Sequence, residues 1–539
     1  MRSRLFGENE LSRRVTFPTL AFFIVFSGCA GDVATDKNVD LLNNTAQIAP
    51  LNTPFAMSQI RPPVFADRMF DIRGFGAIAD GNTLNTKAFA DTIEVCAKAG
   101  GGTVLVPKGL WLTGPIHLKS NVNLRIAKEA EVRFSMRFED YLPVVFTRYE
   151  GIECYNYSPL IYANGCKNIA ITGEGLLNGQ GHAWWPWKNE TEKPDARVNR
   201  LRNAQYNGIP VEKRIFGTAE DALRPNFIQP INCKNVLIEG LTFTNSPMWN
   251  IHPVYCENVI VRKVTVITTT KSPNTDGINP DSCKNVLIED SYFDTGDDCI
   301  VLKSGKNEDG WRVGKPCENI VIRHCRTKHG HGGVVIGSEM SGGVRNVYIH
   351  DCYFDGTEVG IRMKSRRGRG GVVENIWAEN ITMGKINTQA IRLNMFYAWG
   401  IESRSQKPGI FRNMYFKNIF CQQAEEAVKI AGLPEKPIEN INLENVVVYA
   451  NKGVLCTDAK NINLRNVTIV PEDGPVMKFK DCLDISIIDS HCPAYAKTFI
   501  ELQGSKTKNI QLKNNGLIDR QKQVKLDKDV VADAVMIKN

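Results

Sequence analysis

The sequence predicts an all-β fold, a right-handed parallel β-helix whose N-terminal end is closed by one helix. Three observations predict it: a short motif around Asn recurs along the chain, the segments between the motifs are rich in Val and Ile, and one helical pattern precedes them. The composition agrees, because 42% of the 539 residues are hydrophobic, 23% are charged and 44 are glycine. Such values fit a globular protein rich in strands and turns.

The Asn motif defines the coils. Five copies carry a Cys two positions before the Asn, at Cys166, Cys233, Cys256, Cys283 and Cys317. Further copies place the Asn at Asn346, Asn375, Asn413, Asn440, Asn461 and Asn509. Successive Asn are mostly 21 to 38 residues apart, a period typical of a solenoid. Asn suits a repeated turn because it tolerates left-handed backbone and can form side-chain ladders between coils.

The helix is predicted over residues 85–99, where helical spacing ends at three consecutive glycines. It would cover the exposed core of the first coil. The fifteen cysteines first suggest disulfides. Because five of them share one motif position, however, we expect mostly free, buried thiols stacked along the solenoid.

The N-terminus has the features of an export signal. Basic residues precede the apolar run "FPTLAFFIVF", which is too short to cross a bilayer comfortably, in residues 1–29. The following "FSGC" resembles the lipobox of bacterial lipoproteins, which would make Cys29 a lipid anchor; a plain signal peptide cleaved nearby is the alternative. Residues 30–66 are predicted to be a tether, and residues 67–539 one β-helix domain. We therefore expect an exported protein, in the periplasm or on the cell surface as an outer-membrane lipoprotein.

A second alignment lies inside the repeats. Four segments superpose on a shared Ser: "TDGINPDS", "DDCIVLKS", "GGVVIGS" and "VGIRMKS", which end at Ser282, Ser304, Ser338 and Ser365. In this frame Asp276 falls under Asp298, His331 beside Asp297, and Lys364 under Lys303. Because parallel strands lie about 4.8 Å apart, the three Asp and His331 are predicted to form one patch with Arg362 and Lys364.

That patch has a recognisable chemistry. Three close carboxylates cannot all be charged without strong repulsion, so at least one pKa should rise. A protonated carboxyl can donate a proton while an ionised neighbour polarises water, which is the division of labour that cleaves a glycosidic bond. Arg362 and Lys364 suit an anionic sugar. The net charge of +8 leaves nucleic acid or a membrane surface open as partners, but the carboxylates would repel phosphate.

Four short motifs carry a family resemblance. "NTD" at 274–276, "GDD" at 296–298, "GHG" at 330–332 and "RMK" at 362–364 resemble the signatures of the polygalacturonases, glycoside hydrolase family 28. The resemblance implies a pectin lyase-like β-helix that hydrolyses α-1,4-galacturonosidic linkages in pectin with inversion, without metal or cofactor.

The resemblance also implies roles for individual residues. Asp297 would be the general acid, Asp276 and Asp298 would activate water, and His331 would set the protonation of Asp297. Substrate would be bound by Arg362 and Lys364, with Asn274 orienting its neighbours or contacting sugar. Apart from the resemblance, Tyr397 in the segment "LNMFYAWG" is predicted to offer an aromatic contact near the cleft. We expect a monomer that binds oligogalacturonides and pectin and does not bind nucleic acid.

Several segments of the sequence are most similar to those of bacterial exo-acting members of the family. An exo-enzyme needs a cleft that is closed at one end. Trp184, Trp185 and Trp187 are candidates for the closing wall, or else they pack between coils. Rhamnogalacturonan or xylogalacturonan hydrolysis, a lyase reaction on the same scaffold, and a non-catalytic β-helix that binds acidic glycan remain as alternatives.

Overall fold

The structure is a computed structural model that describes residues 48–188, 196–397 and 406–538. In these ranges the chain winds into the predicted parallel β-helix, with the same faces of successive coils hydrogen-bonded in register. The predicted signal peptide, Cys29 and residues 30–47 of the predicted tether lie outside the described residues. None of the described helices is long and apolar enough to cross a membrane.

The strands of the first coils are β1 (Met69–Asp71), β2 (Asp80–Leu84), β3 (Gly102–Val106), β4 (Gly109–Thr113), β5 (Ile116–His117), β6 (Val122–Ile126), β7 (Ala130–Phe134), β8 (Val145–Tyr149), β9 (Ile152–Asn156), β10 (Ile161–Asn164), β11 (Lys167–Gly173), β12 (Leu176–Asn178) and β13 (Ile215–Phe216). The central coils contain β14 (Ile228–Ile231), β15 (Lys234–Glu239), β16 (Thr242–Thr244), β17 (Glu257–Arg262), β18 (Thr265–Ile267), β19 (Lys284–Glu289), β20 (Tyr292–Thr295), β21 (Ile300–Leu302), β22 (Cys317–Arg323), β23 (Arg326–His329), β24 (Val334–Gly337), β25 (Val344–Asp355), β26 (Val359–Lys364), β27 (Val372–Lys385) and β28 (Gln389–Asn394).

The last coils contain β29 (Ile410–Ala431), β30 (Ile438–Thr457), β31 (Ala459–Lys480), β32 (Leu483–Ile488), β33 (Ile500–Gln503), β34 (Lys508–Lys513), β35 (Val524–Leu526) and β36 (Val535–Lys538). The α-helices of the described ranges are α1 (Thr86–Lys98), α2 (Ala196–Tyr206), α3 (Asn307–Val313) and α4 (Arg520–Gln523).

Each Asn repeat lies at the start of a strand on one face of the solenoid, which we call the Asn face. This face is formed by β6, β11, β15, β17, β19 and β22 and is continued by β25, β27, β29, β30 and β31. At its turns Asn235, Asn258 and Asn285 have positive φ values of 59°, 56° and 55°. The Asn258 amide donates to Asn235 Oδ1 at 3.0 Å, and the Asn285 amide donates to Asn258 Oδ1 at 3.1 Å. The predicted ladder is thus present, and it satisfies polar groups that would otherwise be stranded at the turns.

The core confirms the prediction for the cysteines. Every Cys in the described ranges is free and buried. In the repeated column, the thiols of Cys256 and Cys283 donate to the carbonyl oxygens of Pro230 and Pro253 at 3.3 and 3.2 Å. Cys therefore serves as a small residue that fills one corner of each coil and pairs with backbone of the coil before it.

Helix α1 agrees with the prediction to within one residue at each end. It buries Ala88, Phe89, Ile93 and Cys96 and packs against β1, β3, β5 and β6. The helix therefore covers apolar side chains of the first coils, as a cap must.

Part of the predicted tether is packed instead of free. Ile60 is buried against Leu237, Ile260 and Leu287 on the outer side of the Asn face. The guanidinium of Arg323 donates to the carbonyl oxygens of Ala49 and Pro50 at 3.1 and 3.2 Å. The outward positions of these strands form an apolar stripe, and residues 48–66 cover it because exposure would be costly.

Candidate active site

The site lies on a second face, the site face, made by β21, β24, β26 and β28 and extended by single bridges on the preceding coils. Ile278 pairs with Ile300, and Ile300 pairs with Val334. Asp276 and Asp298 each lie two residues before a member of this series, so they occupy the same position on adjacent coils. This is the register that the superposition on Ser predicts.

Two more pairings complete the frame. The backbone N–H of His331 donates to the carbonyl oxygen of Asp297 at 3.1 Å, which sets these residues side by side. Lys364 pairs with Gly337, and Gly337 itself lies one coil beyond Lys303. The four segments thus contribute to one column across several coils.

The three carboxylates form a compact group. One oxygen from each of Asp276, Asp297 and Asp298 lies within 4.8 Å of the others. Asp276 and Asp298 are buried, whereas the Asp297 side chain is 17% exposed. Asn279 Nδ2 donates to Asp276 Oδ2 at 2.7 Å and fixes that carboxyl. Among the described residues, these three carboxylates are also the group that could hold a cation. The chain itself, however, places positively charged side chains beside them.

Asp276 is a carboxyl whose pKa rises, as the repulsion predicts. Burial, and then the charges of Asp297 and Asp298, raise the pKa of Asp276 well above its usual range. Lys303 and Lys364 oppose that shift without reversing it. Asp276 therefore keeps its proton to a higher pH than an ordinary aspartate does.

Asp297 is held as a carboxylate. Burial by itself would raise its pKa, but the hydrogen bond from His331, the imidazolium charge and Lys364 lower the pKa to about 2. His331 Nδ1 lies 3.1 Å from Asp297 Oδ1, and this contact raises the pKa of His331 to about 9. Without substrate the site therefore favours the anion of Asp297, because the imidazolium stabilises it, and the acid role predicted for Asp297 stays a prediction.

Asp298 and Lys364 form a buried ion pair. Lys364 Nζ donates to Asp298 Oδ2 at 2.7 Å, and Asp298 raises the pKa of Lys364 although burial lowers it. The other oxygen, Asp298 Oδ1, is buried and accepts no hydrogen bond from the described residues. It remains available to a water or a hydroxyl in the cleft.

The predicted substrate-binding residues border the same trio. Arg362 donates to the carbonyl oxygen of His331 at 3.0 Å. The Tyr397 ring lies 5.8 Å from the Arg362 guanidinium and 5.2 Å from Lys364 Nζ. Asn274 Nδ2 points to Asp297 Oδ2 at 3.5 Å, while Arg224 donates to Asn274 Oδ1 at 2.7 Å and sets its orientation.

All eight predicted site residues line one cavity of about 800 Å³. The cavity is also lined by residues that were not predicted as site residues, namely Glu150, Lys188, Arg202, Trp249, Lys303, Lys306, Ser338, Glu339, Glu358, Arg369, Arg392, Asn394 and Phe396. Lys303 shares the Ser frame and could have been found there. Glu150 and Arg202 come from excursions outside the coils, the β8–β9 turn and α2, where no repeat gives a signal.

The tryptophans do not form the predicted wall. Trp184 is fully buried, with ring centroids 4.6 Å from Phe138 and 5.0 Å from Trp187. Trp185 Nε1 donates to the carbonyl oxygen of Ser246 at 2.9 Å. None of the three lines the cavity, so their role is packing, the alternative stated for them. Among the described residues, charged side chains of the excursions border the cleft instead.

The geometry agrees with comparisons to known proteins. The family model of glycosyl hydrolases family 28 matches residues 213–470. A probable polygalacturonase from Vitis vinifera is 32% identical over 423 residues, 74% of this chain and 80% of that protein. An exo-poly-alpha-D-galacturonosidase from Dickeya chrysanthemi is 27% identical over 69% of this chain and 65% of that protein.

A solved structure is similar as well. The crystal structure of a hyperthermoactive exopolygalacturonase from Thermotoga maritima shares 41% identity and a TM-score of 0.73, covering 76% of this chain and 94% of that chain. Sequence, fold and the four motifs on one column agree: the chain belongs to glycosyl hydrolases family 28.

Proposed function

We propose that this protein hydrolyses α-1,4-galacturonosidic linkages in polygalacturonate and pectin, and that it acts from a chain end. The observation that carries the proposal is the trio of Asp276, Asp297 and Asp298 beside Arg362 and Lys364 in one cavity. Carboxylates in different protonation states supply acid and base, and the two cations suit the carboxylate of a uronic acid.

The acid role of Asp297 requires that it gain a proton when substrate binds. Lys364 is one of the charges that lower the pKa of Asp297. A uronate bound at Lys364 and Arg362 offsets that charge, so the pKa of Asp297 rises in the complex. The His331 imidazolium, 3.1 Å from Asp297, and Asp276, whose raised pKa favours its protonated form within 4.8 Å, are the two sources for that proton.

Water activation falls to the remaining carboxylates. Asp298 Oδ1 has no hydrogen-bond donor among the described residues and can accept from the attacking water. Once Asp276 has given up its proton, it becomes a second acceptor. We therefore assign Asp297 as acid and Asp276 with Asp298 as the base pair, while His331 controls the charge of Asp297.

We propose inversion at the anomeric carbon, as the family resemblance implies. The oxygens of the trio lie within 4.8 Å, closer than the about 6.5 to 9.5 Å usual for inverting glycosidases, so separation alone does not support it. Proton NMR during early turnover tests the point: initial release of the β-anomer supports inversion, and the α-anomer contradicts it.

Exo action is supported by charged side chains of α2 and the β8–β9 turn that line the cavity and by the names of two relatives. Product analysis over time tests it. Accumulation of monomer or dimer alone is expected, and an early ladder of oligomers would contradict a closed cleft.

The central test is a reducing-end assay on polygalacturonate. Asp297→Asn should lose about 10³-fold or more in turnover, because proton donation to the leaving oxygen is lost. Asp294→Asn is the control, since Asp294 pairs with His329 outside the cavity. Near-normal turnover of Asp297→Asn refutes the acid role. Absorbance from an unsaturated product indicates a lyase. Binding of polygalacturonate without release of reducing ends indicates a non-catalytic β-helix.

We also propose export, with lipidation at Cys29 and a monomeric catalytic domain. The basic leader, short apolar run and lipobox-like "FSGC" support it. Fractionation of cells that express the full chain tests the anchor: Cys29→Ala should move the protein from the membrane to the soluble fraction, whereas unchanged fractionation argues against lipidation.

A further inference from the structure

A second groove lies on the later coils, outside the catalytic cavity. Its volume is about 560 Å³, and none of the described residues that line it also lines the catalytic cavity. We call it the tyrosine groove. It is lined by Gln422, Gln423, Tyr449, Ala450, Asn451, Val470, Pro471, Glu472 and Tyr495.

Two tyrosine rings are exposed in the tyrosine groove. Tyr449 is 46% exposed and Tyr495 is 60% exposed. The Tyr495 hydroxyl donates to the carbonyl oxygen of Pro471 at 3.0 Å, and the Tyr449 ring packs edge-on against Phe420 with ring centroids 6.3 Å apart. Each ring is therefore held in place while much of its surface faces water, as is typical of a site that a ligand covers.

Strand register sets the spacing of the two rings. Tyr449 pairs with Val470 on the next coil, and Thr468 of that coil pairs with His491 on the coil after it. Tyr495 follows His491, so the two tyrosines come from coils two steps apart, a separation of roughly 10 Å. This spacing suits an extended ligand with several rings better than one small molecule.

The charges at the tyrosine groove disfavour an anion. Among the described residues that line the groove there is no Lys, Arg or His. Glu472 is exposed, and it forms no ion pair with a described cation. Beside the groove, Glu425 accepts hydrogen bonds from Lys452 at 3.1 Å and from Asn451 at 2.6 Å. A uronate would therefore meet negative charge here, unlike in the catalytic cavity.

Uncharged polar groups remain for a ligand. Gln422 and Gln423 are exposed on β29, and each side-chain amide offers both donors and an acceptor. Aromatic rings bordered by amides suit a neutral sugar, because the C–H face of a pyranose ring packs on an aromatic ring while the hydroxyl groups bind to the amides.

The tyrosine groove lies along the same edge of the solenoid as the catalytic column. Backbone hydrogen bonds lead from Gly330 through Glu358 and Thr388 to Glu426, one coil at each step. Glu426 pairs with Lys452, which is next to the groove in sequence. Four coils thus separate the groove from the catalytic column, a distance of roughly 20 Å. A ligand in the groove lies in line with the cleft without entering it.

We propose that the tyrosine groove is a binding site for a neutral glycan, in which Tyr449 and Tyr495 stack on pyranose rings while Gln422 and Gln423 bind their hydroxyl groups. On a polysaccharide with neutral and uronate segments, the groove would hold a neutral segment while the catalytic cavity binds a uronate segment. That use of the groove rests on the proposed function, whereas binding of the neutral glycan does not.

Calorimetry of the full chain with β-1,4-galactotetraose and with cellotetraose tests the site, since both are neutral chains of pyranose rings. The wild type should bind at least one of them with a Kd of about 1 mM or tighter. Tyr495→Ala should raise that Kd about tenfold, because an aromatic contact and its buried area are lost. Tyr353→Ala is the matched control and should leave Kd unchanged, since Tyr353 is 40% exposed on β25 and lines neither the groove nor the cavity.

A uronate ligand tests the selectivity. Trigalacturonate is titrated into the full chain carrying Asp297→Asn, which prevents turnover. Adding Tyr495→Ala should leave its Kd unchanged, because the groove disfavours an anion. A loss of affinity for trigalacturonate as large as the loss for the neutral tetrasaccharide would contradict a neutral-glycan site.

The proposal is overturned if the wild type binds neither tetrasaccharide at about 10 mM, or if folded Tyr495→Ala binds as the wild type does. Thermal unfolding establishes that the variant is folded; if it is not, Tyr449→Ala takes its place with the same expected and contrary results. Dimerisation of the wild type that Tyr495→Ala abolishes would assign the groove to a second copy of this chain instead.

The reducing-end assay on polygalacturonate separates the two proposals. An active wild type that binds neither tetrasaccharide contradicts the neutral-glycan site alone. An inactive wild type with tyrosine-dependent binding contradicts hydrolysis alone.

Discussion

His331 Nδ1 lies 3.1 Å from Asp297 Oδ1, and this contact keeps the two side chains oppositely charged. The pKa of Asp297 is lowered to about 2 and that of His331 is raised to about 9. The depressed carboxyl stabilises the fold above its unfolded pKa of 3.8, and that stability is lost as the pH falls through about 2. The raised imidazole contributes fully below 6.5, and its contribution is lost as the pH rises through about 9.

Replacing His331 with Ala should raise the pKa of Asp297, because the imidazolium that stabilises the anion is gone. Turnover should fall about 10²-fold, and the limb of the pH–rate profile set by Asp297 should move to higher pH. Rates on polygalacturonate from pH 3 to 9 check this.

The matched control is His329→Ala. His329 Nδ1 makes a similar contact, 2.7 Å from Asp294 Oδ1, but neither residue lines the cavity. Its pH–rate profile should match the wild type. A His331→Ala profile that also matches the wild type would contradict the coupling of His331 to Asp297.

Asp276→Asn should stabilise the protein at pH 7 while abolishing activity. The folded-state pKa of Asp276 is raised above 3.8, so the folded state binds a proton that the unfolded state has lost, and stability falls as the pH rises between the two pKa values. Asn resembles the neutral acid and removes that penalty. Urea unfolding at pH 7 and pH 3.5 measures the stability of the variant relative to the wild type. The extra stability of the variant at pH 7 should vanish at pH 3.5. A variant that is less stable than the wild type at pH 7 would contradict a raised pKa of Asp276.

Lys364→Met should lower the free energy of unfolding by about 3 kcal/mol or more, because it leaves the buried Asp298 carboxylate without its counter-ion. The double variant Lys364→Met with Asp298→Asn should recover more than about 1 kcal/mol of that loss, since neither position then holds an unpaired buried charge. Denaturant unfolding of the four proteins gives the coupling. Strictly additive losses would mean that the two residues do not stabilise each other.

Ile60→Ala should cost about 2 to 4 kcal/mol of unfolding free energy, because it opens a cavity against Leu237, Ile260 and Leu287. Val64→Ala, on the same segment but 85% exposed, should change stability by less than about 0.5 kcal/mol. Equal effects of the two substitutions would show that the segment does not pack on the Asn face in solution.

The repeats explain how much of the fold was accessible from the sequence. A residue such as Asn258 or Cys256 recurs because each coil presents the same turn and corner, so one pattern predicts many coils. The same reasoning places Asp276, Asp298 and Lys364 in one column, because strand register fixes which residues of successive coils are neighbours.

The features that could not be predicted from the sequence have a common cause as well. Segments outside the repeat, such as residues 48–66 and helix α2, have no second copy to align with. Trp184 carries no sign of whether it faces the cleft or the core. Such positions are decided by contacts between residues distant in sequence.

By itself, the sequence determined the β-helix, the capping helix, the buried cysteines and the membership of the catalytic column, because these follow from local periodicity and from register between coils. Only the tertiary structure decided that the pKa values of Asp276 and Asp297 shift in opposite directions and which further charged side chains line the cleft. A pKa depends on burial and on every charge within reach, and the cavity combines Glu150, Arg202, Lys306, Glu339 and Arg369 from five separate segments. Their effect exists only when the fold brings them together.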